Sequence, residues 1–417
     1  MALEPANPLR NLPRDGRLLF LTRFIRLFSY GSLSVVLVFY LTSLGLSESQ
    51  TGLLLTLTLL GDTAISLSLT TQADRIGRRR MLIIGSVLMA GAGLTFAYTR
   101  NFLFLLAAGT IGVISPSGNE VGPFLPIEQA ALSHVVSARE RTTVFAWYAL
   151  AGALATAAGS LFAGFFTQAL ERAAVPVVSS ERAVIVLYAV MGVLLGLLFH
   201  RLSPAAEVRQ EEGTAAGARK LMGIGSSRGI VLRLSSLFAL DAFGGGFIVQ
   251  SFAAYWFYLR FRVQPATLGS IFFGANVLAG VSALLASRLA SRIGLIRTMV
   301  FTHLPSNVLL LTIPLMPNLP LAVLVLFLRF SISQMDVPTR QSYTMAIVRP
   351  EERSAAAGIT GVARTTGAAL APMFAGLLFA RPALIDLPFL IAGTLKIGYD
   401  LLLYRAFVRL PPPEEAS

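Results

Sequence analysis

The stretch ADRIGRRRM at residues 73–81 sets the architecture, because a second version of it, ASRIGLIRTM, occurs at residues 290–299. Residues 124–164 also align without a gap onto residues 336–376, at an offset of 212 residues. The two short stretches are 217 residues apart, so small insertions separate the matched blocks. A chain that repeats itself in this way is built of two similar halves. For membrane helices, such halves predict two bundles related by an axis along the membrane normal.

The composition places this duplicated chain in a membrane. Of its 417 residues, 55% are hydrophobic and only 13% are charged, and the mean hydropathy is +0.70. Soluble domains carry about 25% charged residues. The apolar runs are continuous rather than alternating, which favours membrane-spanning helices over a β-barrel. Twelve apolar segments are predicted near residues 17–45, 50–72, 81–99, 102–134, 142–170, 182–200, 230–260, 266–289, 297–316, 319–346, 354–380 and 385–408.

The basic residues give the orientation. Arginines are concentrated in the loops that follow even-numbered segments and in both tails, and the loops after odd-numbered segments hold few of them. The positive-inside rule therefore predicts that both termini are cytoplasmic, with residues 1–17 as a cytoplasmic tail. The formal net charge of +13 is spread over these short loops. We therefore interpret it as a topology signal and expect no nucleic-acid partner.

The predicted domain organisation follows from the one long polar insertion. We expect an N-terminal six-helix bundle at 1–200, a cytoplasmic central loop at 201–228 and a C-terminal six-helix bundle at 229–417. The central loop is rich in alanine, glycine, serine and charge, as flexible linkers are.

Several chemistries are excluded or disfavoured by the residues present. No GxxxxGK[ST] phosphate-binding loop occurs, which removes ATP hydrolysis within the chain. There is no cysteine, and the three histidines, His134, His200 and His303, show no ligand spacing. We therefore expect no metal and no cofactor. No compact catalytic group lies near a membrane face, so we expect that the protein is not an enzyme.

The loop from Asp74 to Arg80 resembles the signature of the major facilitator superfamily, G-x-L-A-D-R-x-G-R-[KR]-x-x-L. Thr70 and Gln72 replace the first glycine and the leucine, and the Ala-Asp-Arg-x-Gly-Arg-Arg core is intact. The resemblance implies the MFS fold: an all-α polytopic membrane protein with twelve transmembrane helices in two pseudo-symmetric six-helix bundles. It also implies secondary transport by alternating access.

The same resemblance gives this loop a function. It implies that Asp74 engages the start of the eleventh helix, near Arg353–Ser354, and helps to hold the outward-open state. We therefore predict a conformational gating loop whose members are Asp74, Arg75, Gly77 and Arg78. Gly77 tolerates the positive φ of a tight reversal. The alternative interpretation is that Arg78, Arg79 and Arg80 only set the topology.

The fifth and eleventh segments resemble a small-residue motif, G-x-x-x-G-P-x-x-G-G, that exporters of this family often carry. The fifth runs from Ala155 through Gly159 and Ser160 to Gly164 and lacks the proline; the eleventh runs from Gly367 through Ala371-Pro372 to Gly376 and has it. The match favours export. Small residues at this spacing also allow close helix packing, and that alternative stays open.

Ionisable residues inside spanning segments are the candidates for the functional site. Each costs about 2.5–3.5 kcal/mol in a helix centre on insertion scales, so it marks either function or an internal ion pair. The substrate-binding candidates are Arg23, Arg26 and Tyr30 in the first segment and Arg329, Asp336 and Arg340 in the tenth. The proton-coupling candidates are Asp62, Glu120, Glu128 and Asp241. We expect Arg364 and Lys396 to form structural ion pairs and His303 to be a packing residue.

The three tenth-segment residues are spaced by seven and four, which would place them on one face of a continuous helix. Asp336 would pair with Arg340 and leave Arg329 as a free donor for an anionic substrate group. The resemblance implies that the first, fourth, seventh and tenth helices line the central cavity.

These expectations combine into one predicted function: proton-coupled efflux of a small organic solute. The alternatives are a proton-coupled uptake symporter and a transporter-like membrane receptor. The expected partners are a small-molecule substrate, protons and the lipid bilayer. We expect a monomer in the bacterial inner (plasma) membrane.

Overall fold

The computed structural model describes residues 12–120, 122–136, 141–204, 207, 227–349 and 352–410. These residues are almost entirely helical, and no β-strand occurs among them. In chain order the α-helices are α1 (Arg14–Ser43), α2 (Glu48–Ile76), α3 (Arg78–Tyr98), α4 (Phe102–Ile111), α5 (Phe124–Val135), α6 (Arg141–Arg172), α7 (Val177–His200), α8 (Arg228–Gly246), α9 (Gln250–Phe261), α10 (Pro265–Ile293), α11 (Leu295–Thr312), α12 (Leu319–Phe330), α13 (Asp336–Ala346), α14 (Arg353–Phe379) and α15 (Leu387–Phe407).

Ten helical stretches within the described residues are long and apolar enough to cross a membrane. Two shorter apolar helices, α4 and α12, lie at the predicted fourth and tenth segments. Large apolar side chains such as Leu94, Leu103, Val190 and Leu197 are exposed on the outer faces of these helices. Apolar surface of this kind is typical of helices that meet lipid rather than water. The all-helical membrane fold is confirmed, and the count of twelve crossings stays a prediction.

The fourth segment is interrupted in its middle. Helix α4 ends at Ile111 and α5 begins at Phe124, and the residues between them that the structure describes are not helical. Two prolines in this connection cannot donate a backbone hydrogen bond, and Gly118 and Gly122 have positive φ angles of 69° and 78°. Non-helical backbone is tolerated at membrane depth only where other groups satisfy it. Here the hydroxyl groups of Ser66, Thr156 and Tyr188 donate to backbone carbonyl oxygens of the connection.

The tenth segment is interrupted as well, which corrects one expectation. Helix α12 ends at Phe330 and α13 begins at Asp336, so Arg329 does not share a continuous helical face with Asp336 and Arg340. The physical reason is Pro338, which has no N–H for the carbonyl of Gln334 and would clash with it in an unbroken helix. Pro126 occupies the same place in α5, so both halves break their helix at the matching position of the repeat.

The glycines of the exporter-like motif lie at close helix contacts. A Cβ atom at Gly367 would collide with the carbonyl oxygen of Ala239 in α8. A Cβ atom at Gly376 would lie 2.9 Å from the Cα atom of Gly52 in α2. Real Cβ atoms do not approach backbone so closely. Helix α14 therefore needs glycine at both positions to pack against α8 and α2 at this distance.

The described residues form two compact units. The first unit draws on Met1–Leu46, Gly61–Gln210 and Val263–Phe273, and the second on Ser47–Leu60, Glu211–Arg262 and Gly274–Ser417. The predicted division at 201–228 stays a prediction, since most of that stretch lies outside the described residues.

Candidate functional site

The first unit holds a buried cluster of charged residues, which we call the first cluster: Arg23, Arg26, Glu120, Glu128 and Tyr148. Arg26 and Glu128 form a two-pronged ion pair, with Nη1 to Oε1 at 2.6 Å and Nη2 to Oε2 at 2.7 Å. Both side chains are fully buried. Tyr148 donates a hydrogen bond to the same carboxylate of Glu128. A paired guanidinium and carboxylate with this geometry is among the stronger polar contacts in proteins.

Glu120 forms the more open side of the first cluster. Its Oε1 atom lies 2.5 Å from Nη1 of Arg23, and its Oε2 atom lies 3.2 Å from Nη2 of Arg26. Its side chain is 17% exposed, whereas that of Glu128 is fully buried. Arg23 also lies 4.4 Å over the ring of Tyr148. Two arginines and two glutamates therefore balance one another in this cluster.

The second unit holds the second cluster: Asp241, His303, Asp336, Arg340, Lys396 and Asp400. Asp241 of α8 lies at its centre, since Lys396 Nζ of α15 is 2.6 Å from Oδ1 and Arg340 Nη1 of α13 is 3.2 Å from Oδ2. Arg340 also lies 3.1 Å from Asp336, one helical turn away. The predicted pairing of Asp336 with Arg340 is therefore present.

His303 of α11 joins this cluster through Asp400. Its Nδ1 atom lies 2.8 Å from Oδ1 of Asp400, and Asn307 donates to Oδ2 of the same carboxylate at 2.8 Å. Its Nε2 atom faces Asp241 at 3.7 Å. His303 is therefore hydrogen-bonded inside the unit, and the expectation that it is a packing residue stays a prediction.

The two clusters occupy matching positions of the repeat with opposite signs. Glu128 and Arg340 are related by the 212-residue offset, and each pairs with a residue of the helix that opens its half. Glu128 pairs with Arg26 in α1, and Arg340 pairs with Asp241 in α8. The first half thus has its arginine on the leading helix, and the second half has its carboxylate there.

Asp62 stands apart from both clusters. It lies near the middle of α2 in the first unit and is 9% exposed. Its carboxylate is hydrogen-bonded to the backbone of Gly122, in the non-helical connection between α4 and α5. Its Oδ1 atom is buried without a hydrogen-bond partner among the described residues. Within that part of the chain no arginine or lysine forms an ion pair with it.

The remaining candidates do not join these ion pairs. Tyr30 is fully buried and stacks on Tyr188, with 6.2 Å between ring centroids. Arg329 lies 5.0 Å over the ring of Phe330 and forms no ion pair with the described residues. Of the two residues expected to form structural ion pairs, Lys396 does so, but Arg364 has no carboxylate partner in the described part of the chain.

Asp241, His303 and Asp336 lie close enough together to offer three ligand atoms to a metal ion. However, both oxygens of Asp241 already contact cations, and Asp336 contacts Arg340. Two permanent positive charges at these carboxylates oppose the binding of a further cation. We therefore interpret the group as an ion-pair network and assign no metal to it.

Comparison with known proteins agrees with this architecture. A sequence model of the Major Facilitator Superfamily matches residues 19–332 and 234–417, which together cover nearly the whole chain. The chain belongs to the major facilitator superfamily. It is 31% identical over 425 residues to the uncharacterized membrane protein YJR124C of Saccharomyces cerevisiae, with 95% of this chain and 94% of the yeast protein covered. The resemblance drawn from the loop sequence is confirmed.

Solved transporters of this superfamily share the fold. A bacterial homologue of the human lysosomal transporter Spinster matches with a TM-score of 0.72 and 16% identity, covering 97% of this chain and 96% of its own. The nucleoside transporter NupG matches with a TM-score of 0.71 and 14% identity, covering 95% and 99%. The family and the fold are those of membrane transporters.

The superfamily signature loop is anchored by a residue that sequence reasoning missed. Gly77 has a φ of 112°, as the predicted reversal requires, and α3 begins directly after it. The backbone N–H groups of Arg78 and Arg79 donate to the carboxylate of Glu207 at 2.7 and 3.0 Å. Glu207 thus caps the positive end of α3. The side chains of Asp74 and Arg75 lie outside the described part of the chain, so the gating role stays a prediction.

Other contributors were also missed by the sequence. Asp400 carries the same signal as the candidates, an ionisable residue in an apolar segment, and that signal could have found it. Asn307 and Tyr148 have no such signal, because neutral polar residues are common in spanning helices. Their role depends on contacts with Asp400 and Glu128 that are distant in sequence.

Proposed function

We propose that this MFS protein is a proton-coupled secondary transporter that exports a small organic solute, with Asp62 as the proton-carrying residue. The observation that carries the proposal is the isolation of Asp62. Among the predicted coupling residues, Glu120, Glu128 and Asp241 are each held by arginine or lysine. Asp62 is buried, has an unsatisfied oxygen and has no cationic partner among the described residues.

An unpaired buried carboxylate is suited to carry a proton. Burying an isolated negative charge is costly, and protonation removes that charge. A carboxylate held by an arginine gains much less from a proton, because its charge is already compensated. Glu181 is also buried with an unpartnered oxygen, but it lies near the start of α7 rather than at mid-helix. Asp62 also contacts the non-helical connection through Gly122, and broken helices often form ion and proton sites in transporters.

Export is the proposed direction because α14 carries the exporter-like motif from Gly367 to Gly376 with Pro372. Uptake by symport is the second candidate. It is favoured by Asp62 in the first unit and by Arg329 and Arg364 in the second, none of which forms an ion pair among the described residues, because these charges would allow a proton and an anion to move together. We propose a monomer in the plasma membrane with both termini cytoplasmic.

The sign of proton movement tests both candidates before the solute is identified. Purified protein is reconstituted into liposomes that contain the pH-sensitive dye pyranine. A panel of carboxylates, phosphate monoesters, amides and amines is then added outside, with protein-free liposomes as the control for passive permeation. For an antiporter, the lumen becomes alkaline as solute enters and protons leave. For a symporter, the lumen becomes acidic.

We expect alkalinisation with the wild-type protein and no response with Asp62→Asn. Acidification of the lumen would contradict export and would favour the uptake symporter. Binding of panel compounds without any proton movement would contradict proton coupling and would favour a transporter-like receptor.

A further inference from the structure

Two arginines within the second unit have no anionic partner among the described residues. Arg329 lies in α12 and Arg364 near the middle of α14. The Nε atom of each is buried and finds no hydrogen-bond acceptor there. A guanidinium keeps its charge inside proteins, so two positive charges remain locally uncompensated. Most buried charges in membrane helices are paired or line a substrate path.

The nearby carboxylates already have partners. Asp241 and Asp336 are close enough to attract both Arg329 and Arg364, but neither arginine forms an ion pair with them, and Arg340 repels Arg364. Asp241 is held by Lys396 and Arg340, and Asp336 by Arg340. Asp400 is held by His303 and Asn307. In and around the second cluster, three carboxylates, Asp241, Asp336 and Asp400, therefore face four cations, Arg329, Arg340, Arg364 and Lys396. The buried carboxylate of Glu352 is separate from this group, at the N-terminus of α14, where it accepts a hydrogen bond from the backbone N–H of Ser227.

The first unit has the opposite excess. Away from its helix ends, Arg23 and Arg26 face Glu120, Glu128 and the unpaired Asp62. The buried Asp15, Arg78 and Glu181 lie near the starts of their helices. Away from the helix ends, the negative excess of the first unit is therefore located at Asp62. The positive excess of the second unit is located at Arg329 and Arg364. A proton would neutralise the first, and only an anion would neutralise the second.

The two arginines lie on the protein-facing sides of their helices. Arg329 follows the buried residues Ala322 and Leu326 at helical spacing, while Leu324 and Leu328 of the same helix are exposed. Arg364 lies between Thr360, which is buried, and Gly367, which packs on α8. Both arginine side chains are partly accessible, so a solute can reach them. These positions do not suit arginines that only extend toward lipid headgroups.

We propose that Arg329 and Arg364 bind an anionic group of the transported solute, a carboxylate or a phosphate, beside the Asp241–Arg340 pair. The proposal rests on the proposed function, because it names the chemical class of the transported solute. The planar guanidinium offers parallel N–H donors that match both groups. Arg340 and Lys396 are already committed to Asp241 and serve to fix the network. A neutral amide of the same shape would leave the two charges uncompensated.

The first test measures binding without any gradient. Purified protein in detergent is titrated with benzoate, citrate and phenyl phosphate and with benzamide, citramide and phenol as neutral partners, at constant ionic strength. A compound that binds only the folded state raises the melting temperature. We expect shifts for anions and none for their neutral partners. Arg364→Gln and Arg329→Gln should each weaken anion binding about tenfold or more.

Two further variants serve as controls. Arg233→Gln removes an exposed arginine of α8 in the same unit and should leave anion binding unchanged. Asp62→Asn should also retain anion binding, so failure of proton coupling and failure of this inference give different results. Anion binding in a protein that moves no protons would sustain the site and contradict only the transport proposal.

The second test needs no ligand. Removing an uncompensated buried charge relieves its desolvation cost, so Arg364→Gln and Arg329→Gln should raise the melting temperature of the ligand-free protein. Arg340→Gln should lower it, because Asp241 and Asp336 lose their partner. The inference is wrong if all three substitutions lower the melting temperature equally. It is also wrong if no anion of the panel binds, or if neutral partners bind as well as the anions.

Discussion

At the scale of single residues, the distinction that matters is whether a buried charge has a partner. Glu128 is enclosed by Arg26, Tyr148 and Thr22, and it forms several short polar contacts at once. Asp62 is similarly buried but has only the backbone of Gly122. Both are carboxylates in spanning helices, so the sequence placed them in one class of candidate. Their surroundings give them different physical roles.

This difference predicts opposite effects on stability. Glu128→Gln leaves Arg26 with an incomplete partner in a sealed site, and breaking a buried pair costs about 3–5 kcal/mol. Asp62→Asn removes a charge that has no counter-charge, so it should leave stability unchanged or increase it. Thermal unfolding of both purified variants in the same detergent checks this prediction. Equal destabilisation by the two substitutions would contradict the assignment of Glu128 to structure and Asp62 to function.

The sequence could locate charged candidates because an ionisable side chain in an apolar segment is a local signal. It could not locate their partners, since Arg26 and Glu128 are joined by packing of helices far apart in the chain. For Arg364 as well, the sequence could not predict whether a partner would be present. It was expected to form an ion pair, and only the arrangement of Asp241, Asp336 and Arg340 leaves it without one.

At the scale of helices, the repeat accounts for both interruptions. Helices α5 and α13 begin at matching positions, each with a proline at its third residue. Asn101 caps α4 and Asn318 caps α12, and each side chain accepts hydrogen bonds from backbone N–H groups. The helices that precede the two breaks therefore also begin alike. The predicted single face of the tenth segment was wrong because periodicity alone does not register a proline-dependent break. Pro126 and Pro338 were visible in the sequence, and their positions could have indicated both breaks.

Close packing of α14 gives a prediction at this scale. Gly376→Ala should reduce stability by about 1–3 kcal/mol, because the added methyl group meets the backbone of Gly52 and Glu48 in the second unit. Gly361→Ala in the same helix is the matched control, since no atom lies within 4 Å of a Cβ atom there. The control should be neutral or stabilising, as alanine favours helix more than glycine does. Unfolding of the two variants, side by side, measures the difference. Equal stability of the two variants would contradict a packing role for the motif.

At the scale of the whole molecule, the two units carry opposite unbalanced charges away from their helix ends. The first has Asp62, a carboxylate without a cation, and the second has Arg329 and Arg364 without an anion, all within the described residues. The superfamily fold supplies a transporter framework, but fold alone does not define what is carried. We infer that the charge excess of each unit defines what it binds: a proton in the first and an anionic solute in the second. Composition and repeat predicted the fold, whereas this asymmetry depends on contacts that only the folded chain makes.

The most direct test of proton carriage compares exchange with gradient-driven transport in one variant. Proteoliposomes with Asp62→Asn are assayed for uptake of the solute that gives the strongest pH response with the wild-type protein. We expect exchange between equal internal and external pools to persist, while accumulation driven by a pH gradient is lost. Asp62→Glu, which restores a carboxylate, should recover part of that accumulation. Gradient-driven accumulation by Asp62→Asn at the wild-type level would contradict the account.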